Sequence, residues 1–212
     1  MKKILVVSLL FVSLAGMGQA MDWMQGSYSA DGWESGYAPL GFDEAGITTT
    51  IDADRPTYYF RKMLYLPSTY DPPITQLKLT IHTGDGVIVS FNGVEAARSS
   101  WLPQGDLPYE FTGNFTDPSG LQEFDLTDLV YQCENSIGDN WRPVTVEIHR
   151  AQPTHSMSFD AEVQALISGS WDALVEPESQ WDWLEPTGRP PFFPEPTLDA
   201  IRYPLPGMPA VI

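Results

Sequence analysis

The sequence predicts an all-β sandwich, and three features predict it. At least seven segments read as strands, most with apolar and polar residues in alternation. Turn residues punctuate the whole length, and no long amphipathic helical period is present. The clearest stretch is residues 76–101. Leu77, Leu79 and Ile81 alternate with Lys78 and Thr80, the period of a strand with one buried face. Thr83-Gly84-Asp85-Gly86 is turn chemistry, and Val87, Val89 and Phe91 form a second inward row. Asn92-Gly93 suits a two-residue type I′ turn, with Val94-Glu95-Ala96-Ala97 as the return strand. The whole stretch is expected to be a three-strand antiparallel meander.

The remaining elements follow in chain order. Lys2-Lys3, a mostly apolar run over 4–16 and Gly18-Gln19-Ala20 have the pattern of a signal peptide over 1–20, removed on export. The apolar run is too short for a membrane span and no second one follows, so a secreted or cell-surface protein (the periplasm included) with no membrane insertion after leader removal is expected. Residues 21–45 are a loop-rich entry whose Trp23, Tyr28, Trp33 and Tyr37 should tuck against a sheet, with a compact turn at 38–43. A short β-branched run covers 47–51. Residues 58–66 form a strong strand with both faces largely covered, closed by Pro67 and Pro72-Pro73.

Past the meander, 102–106 is a loop, 109–115 a short strand, 121–129 a strand running into a turn, and 131–140 a loop. Val144, Val146 and Ile148, then Phe159, Ala161, Val163, Ala165 and Ile167, mark two half-buried strands. From Gly169 the composition changes, with nine of the nineteen prolines and Trp171, Trp181 and Trp183 in the last 44 residues. That density of proline predicts an extended tail, which either packs back on its own domain or docks a protein partner. The expected organisation is therefore a leader over 1–20, one sandwich over 21–168 and a Pro/Trp-rich tail over 169–212.

Charge excludes some partners. Without Lys2 and Lys3 the chain carries 9 basic against 28 acidic residues, a formal net of −19. Such a surface repels nucleic acid and anionic lipid. Cys133 is the single cysteine, so no intramolecular disulfide forms, and a small buried side chain is expected there.

The order of five short runs carries a family resemblance. These are Ala-Pro-Leu-Gly-Phe at 38–42, Tyr-Phe-Arg-Lys at 59–62, Asp-Gly-Val-Ile-Val-Ser-Phe-Asn-Gly-Val-Glu at 85–95 with Arg98 behind it, Val-Glu-Ile-His at 146–149 and Ser-Phe-Asp-Ala-Glu-Val at 158–163. Over about 33–168 the chain resembles the galactose-binding-like jelly-roll modules found in exported proteins. The resemblance implies an antiparallel jelly-roll sandwich and, since relatives include carbohydrate-binding modules, a non-catalytic glycan-binding role. The chain departs from the pattern at Thr83-Gly84 and at Ser156, where acidic residues are common.

Chemistry-bearing residues were weighed on their own terms. Of the histidines His82, His149 and His155, the first two fall in alternating strand segments and are expected at exposed or edge positions, no Gly-x-Ser-x-Gly elbow is present, and no zinc spacing occurs. Hard oxygen ligands near turns make Asp43, Asp85 and Asp160 candidates for a structural calcium ion, although no twelve-residue calcium loop exists. Sugar binding needs an aromatic face with a few planar polar groups beside it. Trp141 and Trp101 are the ring candidates, with Asp85, Arg98, Asn140 and Arg142 as polar neighbours. Asn114-Phe115-Thr116 is a glycosylation acceptor in a host that glycosylates. The leading expectation is a glycan or cell-surface polysaccharide ligand. The alternative is a structural or assembly subunit meeting protein partners through 169–212, with an enzyme third.

Overall fold

The structure, a computed structural model, describes residues 22–53, 55–66, 73–113, 119–134, 141–152 and 155–184. The leader, Asn114, Asn140, the side chain of Cys133 and residues 185–212 lie outside them. A 3₁₀ turn at Asp22–Met24 precedes β1 (Glu34–Tyr37), β2 (Leu40–Phe42), β3 (Thr49–Thr50), β4 (Thr57–Tyr65), β5 (Ile74–His82), β6 (Gly86–Phe91) and β7 (Val94–Arg98). Then come β8 (Leu121–Asp125), the helix α1 (Thr127–Glu134), β9 (Trp141–His149), β10 (Met157–Ile167), β11 (Ser170–Val175) and β12 (Gln180–Leu184).

The chain is an all-β sandwich. One sheet runs β1-β12-β4-β9-β6-β7 and the other β3-β2-β10-β5-β8, with β11 added beside β10. All pairings are antiparallel except the short β2–β3 pair. Alternation places Tyr58, Phe60 and Leu64 of β4 and Val144, Val146 and Ile148 of β9 on one inner face. Leu77, Leu79 and Ile81 of β5 and Phe159, Ala161, Val163 and Ala165 of β10 meet them from the other. At the centre Phe60 stacks on Phe159 with centroids 4.1 Å apart, and Trp181 of β12 meets Phe159 edge-on at 5.1 Å.

The expected meander is only half present. Asn92 and Gly93 both take positive φ (48° and 80°), as a type I′ turn requires, and β6–β7 is a hairpin. β5 and β6 do not pair: β5 lies between β10 and β8, whereas β6 lies beside β9 in the opposite sheet. Both strands have an apolar inner row, and 83–85 is a corner that carries the chain across the core. Period alone cannot distinguish such a corner from a hairpin.

Other differences have local causes. After β8 the Oδ1 of Asp125 accepts the N–H of Thr127 at 2.9 Å and starts α1, which replaces the expected turn and loop. Leu126, Leu129 and Val130, at helical spacing, enter the core there. Residues 109–113 form turns rather than a strand. The sandwich also extends past 168. β11 pairs with β10, and β12 is wedged between β1 and β4, burying Trp181 and Trp183.

The outer faces of the two sheets differ. On the first sheet the segment 22–33 and the loop 99–113 form an added layer. Trp23 stands edge-on to Tyr59 at 5.3 Å, and Arg61 donates to the carbonyls of Trp23 and Gln25, both at 3.1 Å. Leu102, Leu107 and Phe111 cover Ile88. This cover corrects the expectation for His149. It is fully buried, with Nδ1 3.0 Å from Thr57 Oγ1 and Nε2 3.3 Å from Glu147 Oε2, while His82 on the other sheet is exposed.

Phe159→Ala should cost about 3–5 kcal/mol in urea unfolding, because the cavity opens between two sheets that cannot collapse onto it. A chain ended at Ser168 should show no cooperative thermal transition, since it loses Trp181, Trp183 and the strand joining β1 to β4. A sharp transition in that truncation would make β12 dispensable.

Candidate functional site

The register of β4 and β9 builds the site. Antiparallel pairing from Thr57↔His149 ends at Tyr65↔Trp141, so the two rings lie directly opposite each other. Both side chains occupy outward positions, and Leu64 and Arg142 behind them point inward. The rings meet at 60° with centroids 5.1 Å apart, and each remains about half exposed, Tyr65 at 46% and Trp141 at 48%. The 22–33 segment stops short of them: Gly26 lies against Pro143 and the Trp141 carbonyl. Among the described residues the pair is therefore a half-exposed aromatic platform on paired strands at one end of the first sheet. Trp141 opens β9 rather than lying in a loop.

The other candidates are placed differently. Trp101 packs against the cluster of Ile88, Leu102, Leu107 and Phe111, with its indole N–H in the interior. The guanidinium of Arg98 grips both carboxylate oxygens of Glu95 (2.8 and 2.6 Å) and donates to the carbonyls of Pro103 and Gly105 (2.7 and 2.9 Å), tying β7 to the loop behind it. Arg142 is buried and donates to the carbonyl of Trp141 at 3.2 Å. Asn140 lies outside the described residues. Of the sequence candidates that are described, Trp141 alone stands on the platform, Arg142 beside it points to the other face, and the partner ring, Tyr65, was not among them.

Asp85 is a structural carboxylate. Its Oδ1 accepts the N–H of Ala151 at 2.8 Å, and with Glu44, His155 and Ser156 it lines a cleft of about 330 Å³. Burial raises its pKa above the usual 3.8, opposed by the Ala151 N–H and the charges of Arg150 and His155. Asp160 is raised for the same reason, against the N–H groups of Glu178 and Ala161, which it accepts. Asp43 is exposed in a left-handed turn. Among the described residues no three His, Cys, Asp or Glu side chains converge as a metal site would need.

Two further exposed rings escaped the sequence argument. Trp171, 43% exposed on β11, borders a groove of about 300 Å³ with Gln76, Glu123 and Asp125, and the ammonium of Lys78 sits 5.4 Å from its ring centre. Tyr37, expected to tuck inward, stands outward on β1 opposite Gln180. A Trp or Tyr in a short strand gives no sign in sequence of which face is later covered.

No family model and no curated protein matches the sequence. Among solved structures, the crystal structure of a Streptomyces avermitilis α-L-rhamnosidase complexed with L-rhamnose aligns with 64% of this chain and 11% of its own, at 18% identity and a TM-score of 0.41. The chain thus spans about a tenth of that enzyme. A likeness of this degree establishes neither family nor ligand.

Asp85 links stability to pH. Because its folded pKa is raised, its stabilising contribution is full below 3.8 and is lost as pH rises through the folded value. The stability of Asp85→Asn relative to wild type should therefore improve as urea titrations move from below pH 4 toward neutrality. A pH-independent difference would mean that the buried carboxyl titrates as it does in the unfolded chain.

Proposed function

We propose that this chain is an exported, non-catalytic glycan-binding module of galactose-binding-like jelly-roll type, holding sugar on the Tyr65–Trp141 platform. One observation carries the reading. Two aromatic rings, each about half exposed, are locked opposite each other by strand register beyond the reach of the covering layer. Sugar rings present C–H groups on one face and hydroxyls at the edge, so a fixed aromatic surface takes the apolar face without reordering. Two large rings with about half of their surface in water form an exposed apolar patch of the kind that marks a binding site. Export is inferred from the leader-like sequence of 1–20. In this reading Asp85, Arg98 and Trp101 hold the scaffold and do not touch ligand, and no calcium ion is required.

The test is a screen of glycan arrays and insoluble polysaccharides in the presence of chelator, repeated for two variants. Trp141→Ala should weaken binding at least about tenfold, as loss of an anchor worth about 1.4 kcal/mol or more does, and Tyr65→Ala should weaken it less. Both should keep the wild-type melting temperature to within a few degrees. Undiminished binding by Trp141→Ala, or no binding by the wild type, would overturn the reading.

A further inference from the structure

The outer face of the first sheet carries a third ring in line with the platform. β12 lies between β1 and β4, and the register Asp182↔Arg61, continued by one outward step, sets Gln180 beside Met63. Lys62 Nζ donates to the Gln180 carbonyl at 2.7 Å and fixes that approach. Tyr37 pairs with Gln180 from the far side, at an outward position, and at 59% is the most exposed large apolar side chain among the described residues. Two strand spacings of about 4.8 Å and two residue rises of about 3.3 Å put the Tyr37 and Tyr65 backbones roughly 12 Å apart. Gln180 holds the outward position of β12 between the strands of the two rings, and its amide donates to Ser35 Oγ at 3.1 Å, on the side of Tyr37 away from Tyr65.

We infer that Tyr37 is a distal subsite of the same binding face, so that the module takes an extended neutral polysaccharide segment running across β9, β4, β12 and β1 rather than a single sugar. The inference rests on the glycan-binding reading and extends it. One pyranose ring cannot touch both Tyr65 and Tyr37 across that gap, whereas a short oligosaccharide can. The Gln180 amide beside the Tyr37 ring sets a planar polar group for sugar hydroxyls next to a surface for a sugar face. With 28 acidic residues against 11 basic, the surface field disfavours uronate or sulfated chains.

The experiment is calorimetric titration of the full-length protein with β-1,4-linked gluco- and manno-oligosaccharides, from monosaccharide to hexasaccharide. Wild-type affinity should rise with chain length. Tyr37→Ala should lower affinity for the longest chains about tenfold and leave mono- and disaccharide affinity unchanged, Tyr37→Phe should restore the gain, and Trp141→Ala should weaken every length. Equal affinity of Tyr37→Ala and wild type at all lengths would overturn the distal subsite and leave the platform standing. Absence of binding at every length, or an unaffected Trp141→Ala, would overturn both.

Discussion

The contact of Phe60, Phe159 and Trp181 is what the rest of the sandwich hangs on. It joins β4 of one sheet, β10 of the other and β12, the last strand described. Stacked and edge-on rings fill a large volume with few rotatable bonds, so they fix the sheet spacing at little entropic cost. With that spacing set, the inner rows of β5 and β9 close on each other, and the pairing of β4 with β9 holds its register out to the last residue of the strand.

The second constraint is asymmetric covering. A sheet with one wet face normally reads as apolar-in, polar-out, and the second sheet does so with Lys78, His82, Glu162 and Gln164. The first sheet buries its outward row as well. Thr57, Arg61, Thr145, Glu147 and His149 lie under the 22–33 and 99–113 segments. Such burial is tolerated where donors find carbonyls, as Arg61 does with Trp23 and Gln25 and Thr57 with Tyr109 at 2.7 Å. The layer ends before the strands do, and the uncovered strip holds Tyr37, Tyr65 and Trp141.

Much of this was legible in the sequence. Alternation located β4, β5, β6, β9 and β10 to within a few residues, and Asn92-Gly93 marked its hairpin. What period cannot convey is which strands are partners, and so the corner at 83–85 read as a turn within one sheet. Composition misled at the other end of the chain: proline clustering made everything after 168 look like one tail, although Trp171–Val175 and Gln180–Leu184 fall between prolines and form strands. At the site, Trp141 was visible as a ring with an open role. Tyr65 was hidden in a run that read as largely covered on both faces, and Tyr37 in a segment expected to pack inward. Exposure there depends on where a separate loop stops, and no local pattern records that.

The position of β12 has a consequence for how the molecule comes into being. Among the described residues β1 pairs in its sheet with β12 alone, and the two are separated by nearly the whole sandwich in sequence. A chain emerging from its N-terminus can give β1 the hydroxyl of Thr49, which donates to the Tyr37 carbonyl, but not its paired strand until residues 180–183 have appeared. Closure of that edge is thus a long-range event, and the entropic cost of the loop it spans makes it slower than the pairing of neighbouring strands. The first strand of the sheet is locked by the last strand described, after the pairings between them can have formed.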